Sequence, residues 1–284
     1  MAVFWTILLI VFISYSILGW TIYFLQPKFM YRPVREVLYN PGDIGLPFER
    51  VSLKTEDGLN ISAWYVPCAK ARKTVFFCHG NGGNMSHRLD TINLLNEMGL
   101  NCFLFDYRGY GDSQGKPSEK GTYYDAEVAW QWLTEKKGIK SHHIVIFGRS
   151  MGGAIASYLA GKVRPAALVV ESAFTSYVEL GKKCYPYLPV KMFAFFEYDT
   201  IGYIKQIACP VLVIHSKADE IIPYEFGPIL YDAVNAEKEF VEIFGGHNTG
   251  FLFTGEKYRR AWGDWMEFIE DSQDQGQQRF KRIS

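Results

Sequence analysis

The chain has no surplus charge: 30 lysines and arginines balance 30 aspartates and glutamates over 284 residues. No basic field is available to gather nucleic acid, and no RNA- or DNA-binding motif appears, so a nucleic-acid partner is not expected. Internal repeats and low-complexity tracts are missing too, and with 48% hydrophobic residues the length suits one large domain with a full core. Cysteine is scarce and odd in number, at five. Cys78, Cys102 and Cys209 fall in or beside apolar runs, as buried free thiols do, which agrees with a reducing compartment. The six histidines show no metal-site spacing, so no zinc and no other cofactor is expected.

One absence is local. Residues 2–26 contain no charged side chain, and about 20 such residues at 1.5 Å rise cross a bilayer core. Trp5 near one end and Trp20 with Tyr23 near the other suit the two interfaces. A cleaved signal peptide is the alternative, but the segment has no basic start and no clear small-x-small cleavage site, which favours a single-pass anchor. Lys28, Arg32 and Arg35 follow it and only the terminal amine precedes it, so the positive-inside rule puts the rest of the chain in the cytoplasm. Residues 27–47 carry Pro27, Pro33, Pro41 and Pro47 and read as an extended linker. Residues 274–284 read as a polar tail, disordered or drawn to a membrane surface.

Between them, residues 48–273 alternate strand and helix patterns. A hairpin is expected over 48–54 and 59–66, and strands near 73–78, 100–106, 143–148, 166–171, 209–215 and 238–243. Helices are expected near 86–98, 121–137, 150–162, 224–235 and 257–272. Such alternation implies a mostly parallel sheet with helices on both faces and a site at the strands' carboxyl ends.

The chemistry is concentrated at those ends. The apolar run through Phe147 leads straight into Gly148-Arg149-Ser150-Met151-Gly152, the form of a nucleophile elbow, in which a serine sits on a strained strand-to-helix turn and glycines remove the flanking clashes. Ser150 is the candidate nucleophile; the alternative is a glycine-rich turn without chemistry. In chain order an acid and a histidine should follow. Asp219 stands just past the strand ending at His215, and His247 lies in the loop Gly245-Gly246-His247-Asn248. Asp219 would orient His247, the general base; Glu220 and Glu171 are alternative carboxylates. His87, His142, His143 and His215 read as structural. The stretch His79-Gly80-Asn81-Gly82-Gly83-Asn84 can aim backbone N–H groups at developing charge. The amides of Asn81 and Met151 are the candidate oxyanion donors, with His79 bracing the loop. A phosphate-binding loop is the competing interpretation, and the G-x-x-x-x-G-K-[ST] pattern it needs is missing.

With these motifs, residues 48–272 resemble the α/β-hydrolase superfamily. Asp106-Tyr107-Arg108-Gly109-Tyr110-Gly111-Asp112-Ser113, Glu171-Ser172-Ala173-Phe174-Thr175-Ser176 and Gly245-Gly246-His247-Asn248 resemble its small membrane-anchored branch, which includes fatty-acyl protein thioesterases and lysophospholipid and monoacylglycerol lipases. The resemblance implies an α/β-hydrolase fold with a small helical cap, about 173–208, over the nucleophile. The 106–113 loop would then brace the rim. The aromatics of residues 184–196 would shape an apolar acyl pocket, or else pack in the core. The expected function is a membrane-anchored serine esterase or thioesterase acting on an acyl ester or thioester, of a lipid or an acylated protein. A short-chain carboxylesterase and a non-enzymatic binding protein of the same fold are the alternatives; the oligomeric state is left open.

Overall fold

The structure, a computed structural model, describes residues 1–281, with side chains as far as residue 273. Eight strands form its main sheet: β1 (Glu49–Lys54), β2 (Asn60–Val66), β3 (Thr74–Cys78), β4 (Asn101–Phe105), β5 (Ile144–Arg149), β6 (Ala167–Glu171), β7 (Val211–Ser216) and β8 (Lys238–Ile243). Each lies within two residues of its expected place. Their spatial order is β8-β7-β6-β5-β3-β4-β2-β1. Only the β2 contacts with β1 and β4 are antiparallel. The six strands from β8 to β4 run parallel, so their carboxyl ends share one edge.

The inner strands are buried on both faces, which explains their continuous apolar runs. Phe76 and Cys78 of β3 and Ile144 and Ile146 of β5 face one core cluster, whereas Val75, Phe77, Val145 and Phe147 face the other. The first is closed by α3 (Glu119–Gln131), α4 (Met151–Lys162) and α8 (Phe226–Ala233). The second is closed by α2 (Leu89–Glu97) and α10 (Glu256–Lys281). On α10, Tyr258, Trp262, Trp265, Met266 and Ile269 recur at helical spacing and are all buried.

Four expectations are corrected. The N-terminal helix α1 (Ala2–Met30) continues through Pro27 instead of ending at residue 26, because the Tyr31 amide closes one more turn on the Pro27 carbonyl at 2.9 Å and Met30 and Tyr31 enter the core. The linker is not wholly extended: Pro41–Ile44 forms a 3₁₀ turn capped by Asn40, and Arg32–Pro33 pairs with Gly82–Gly83. A short helix α9 (Gly250–Thr254), not expected, follows the His247 loop. The backbone of α10 stays helical through Lys281 where a tail was expected from residue 274, and residues 282–284 lie outside the described residues.

The segment between β6 and β7 carries α5 (Tyr177–Cys184), α6 (Val190–Phe193) and α7 (Thr200–Ile204). No residue of α5 or α6 is buried, so they stand off as a cap. Phe196, Tyr198 and Ile204 are core residues, and α7 packs on α4. The cap proper is therefore shorter than residues 173–208.

Candidate active site

The turn from β5 into α4 is sterically forced. A Cβ on Gly148 would lie 2.3 Å from the Gly152 carbonyl oxygen, and one on Gly152 would lie 2.0 Å from that of Cys78. Any side chain at either place would push α4 off the sheet. Ser150 itself has φ 57 and ψ −124, a region that costs an L-residue about 1–3 kcal/mol. Its amide donates to the Glu171 carbonyl and its carbonyl accepts from the Gly153 amide, both at 2.9 Å. Ser150 thus caps α4 at the carboxyl edge of the sheet.

At the same edge, the loops after β7 and β8 meet. Asp219 Oδ2 accepts from His247 Nδ1 at 2.8 Å, and Oδ1 accepts from the amides of Ile221 and Ile222 at 3.0 and 2.8 Å. An ionised carboxylate only accepts, so Nδ1 carries the proton and Nε2 keeps its lone pair. Burial alone would raise the Asp219 carboxyl's pKa, but the His247 ring and the two amides outweigh it and hold it below its ordinary value. The alternative carboxylates are engaged elsewhere. Glu220 accepts from the His247 backbone amide at 2.9 Å, and Glu171 is held by Arg149 Nε at 2.7 Å and Tyr258 Oη at 2.6 Å. His215 donates from Nε2 to the Ile222 carbonyl at 3.0 Å, and burial depresses its pKa, keeping the ring neutral. It props the loop that carries Asp219.

The Asn81 loop is tied down from three sides. Asn81 Nδ2 donates to the Met30 carbonyl at 2.8 Å, while the Asn81 carbonyl accepts from the Arg32 amide at 3.1 Å and Tyr110 Oη at 2.8 Å. Behind it, His79 Nδ1 donates to the Gly80 carbonyl at 2.7 Å and the ring packs on Tyr107, centroids 4.4 Å apart. Arg108 bridges Asp125 and Asp57, each at 2.8 Å, which pins the 106–113 loop to α3 and the β1–β2 turn. Met151 is the first residue of α4, where an amide has no acceptor within the helix. Asn81, Ser150 and Met151 all line one cavity of about 490 Å³, within the usual range of ligand sites. Its walls come from α5 and α6 and, unforeseen in the sequence, from α1. Among the described residues no cluster of metal-ligating side chains occurs.

A family model for the alpha/beta hydrolase fold matches residues 73–197. An uncharacterised protein of Mycobacterium tuberculosis is 38% identical over 208 residues, covering 72% of this chain and 74% of its own. The alpha/beta hydrolase domain-containing protein WAV2 of Arabidopsis thaliana is 32% identical, covering 86% and 87%. The lysophosphatidylserine lipase ABHD12 of Danio rerio is 31% identical, covering 70% of this chain and 61% of that protein. Among solved structures, a Pyrococcus furiosus esterase shares the fold with a TM-score of 0.69 at 23% identity, over 84% of this chain and 98% of its own.

Proposed function

This chain belongs to the α/β-hydrolase family, and from that premise we propose that it is a serine hydrolase, tethered to a membrane by residues 1–26 and cleaving ester or thioester bonds of long-chain acyl substrates with its 48–273 domain. Ser150 Oγ attacks the acyl carbonyl while His247 Nε2 takes its proton, and Asp219 balances the imidazolium. The amides of Asn81 and Met151 hold the tetrahedral oxyanion; one such donor is worth about 2.7–4 kcal/mol in transition states of this kind. Collapse expels the alcohol or thiol, which takes the proton from His247. Water, deprotonated by the same ring, then attacks the acyl-serine, and Ser150 leaves with its proton restored.

The observation that carries this function is the Asp219–His247 pair at 2.8 Å on loops of the sheet edge where Ser150 caps α4 under backbone strain. A lipid-like substrate is supported by the apolar cavity beside Ser150, by the uncharged helix α1, and by the lipase among the relatives. Lys28, Arg32 and Arg35 at the end of α1 support a cytoplasmic catalytic domain.

The test is labelling by a fluorophosphonate probe together with hydrolysis of an acyl-ester series. Ser150→Ala should abolish both, His247→Ala should lower turnover by at least about 10⁴-fold, and Asp219→Ala somewhat less. Full turnover in His247→Ala refutes the mechanism. An optimum at the shortest esters would instead mark a short-chain carboxylesterase.

A further inference from the structure

Helix α1 does not stand clear of the hydrolase body. Tyr15 Oη donates to the Tyr187 carbonyl at 2.8 Å, the rings of Trp20 and Phe193 meet edge-on with centroids 6.4 Å apart, and those of Tyr23 and Phe195 do so at 5.8 Å. At its lower end the Gln26 carboxamide clamps the cap backbone: Nε2 donates to the Phe193 carbonyl, and Oε1 accepts from the Phe195 amide at 2.8 Å. Gln26 follows Tyr15 by eleven positions, about 16 Å along the helix, roughly half the hydrocarbon thickness of a bilayer. If α1 crosses a membrane, the cap lies beside it within one leaflet. The cap surface is mixed, with Tyr187 91% and Met192 80% exposed beside exposed Lys182, Lys183 and Lys191. It suits the interfacial zone of that leaflet, where lysine stems lie along apolar surface and their heads reach water.

The cavity lies in the seam. Tyr15, Gly19 and Ile22 of α1 line it together with Leu180, Leu188 and Phe193 of the cap, and Ser150, Met151 and Asn81 line it too. Gly19 is decisive for its shape. A Cβ there would stand 3.0 Å from the Phe193 ring, so a larger side chain would have to displace that ring or fill the void. At about 490 Å³ the cavity is large enough for a fatty acyl chain.

We propose that α1 is one wall of an acyl-chain site, and that a single fatty chain of a membrane-resident monoacyl ester or thioester enters it laterally from the leaflet, between α1 and α5–α6. This presupposes Ser150 as the nucleophile. The chain never leaves an apolar medium, and only the ester must reach the water-side edge of the sheet.

The experiment uses the full chain in phospholipid nanodiscs, with monoacyl esters of four to eighteen carbons and Ser150→Ala as the blank. In Gly19→Leu the ratio of kcat/KM for the sixteen-carbon ester to that for the four-carbon ester should fall at least tenfold. Ile22→Ala enlarges the same wall and should move the optimum to longer chains; Phe12→Leu, on the outward face, should leave the profile alone. An unchanged profile in Gly19→Leu that still reacts with the fluorophosphonate probe, or in Ile22→Ala if Gly19→Leu does not fold, overturns the proposal. A wild-type chain whose hydrolysis survives Ser150→Ala overturns the serine-hydrolase function itself, and the acyl site with it.

Discussion

Ser150 is held in a backbone conformation that few side chains tolerate, and the cause lies in its neighbours: Gly148 and Gly152 admit no Cβ because α4 presses against the carbonyls of β3 and of its own first turn. This constraint is local, so the spacing of the two glycines made the elbow legible in the sequence. The work of Glu220 was not legible, because it depends on two loops, 27 residues apart in the chain, that meet only when β7 and β8 pair; His215, read as structural, props its own loop at Ile222. His215 gives a pH signature. Its unfolded-state pKa is near 6.5, whereas burial lowers it in the fold. Between those values the unfolded chain binds more protons, so stability falls as pH drops below about 6.5 and is unaffected by this group above it. Asp219, also lowered, adds a loss only below about pH 4. In His215→Gln, whose amide can still reach the Ile222 carbonyl, the urea midpoint measured from pH 7 to pH 5 should drop less than in the wild type. Parallel profiles would mean that His215 titrates alike in both states.

Among the elements, the strands were readable because each inner one is apolar on both faces, and the long helices because their buried residues repeat at helical spacing. The cap was harder. Its aromatic run divides between two jobs that hydrophobicity alone does not separate: Phe193 faces the cavity, while Phe196 and Tyr198 are core. The end of α1 was misplaced for a related reason, since Pro27 and Lys28 look like a boundary although the next turn is fixed by the burial of Met30 and Tyr31. Gln26 reads in the sequence as the last uncharged residue of that segment, and its carboxamide is the joint between helix and cap. Gln26→Leu would leave the part-buried Phe195 amide and Phe193 carbonyl without these partners, at about 1 kcal/mol each, the lower end of the cost for buried groups. Hydrogen exchange of the Phe195 amide should quicken by about tenfold or more, with little change in sheet amides. Equal exchange in variant and wild type would show that the clamp does not hold the cap.

For the molecule as a whole, α1 is by length and composition apolar enough to cross a membrane, with 6% of its most apolar window buried by protein, and the proposed anchor would set that face in lipid. Lys28, Arg32 and Arg35 stand at its end beside the catalytic body, and a reporter fused after Ser284 is expected to be active on the cytoplasmic side; activity only on the opposite side would reverse that orientation. The seam between helix and cap also bears on how the protein is handled outside the cell. A cleft that takes an alkyl tail, as proposed, would not distinguish a substrate from the surfactant used to extract the protein. A detergent with a straight chain of ten to sixteen carbons should therefore act as a competitive inhibitor, raising KM in proportion to its free concentration, while a rigid steroid-based detergent should not. Equal KM in both would show that the cleft is closed to alkyl tails in solution.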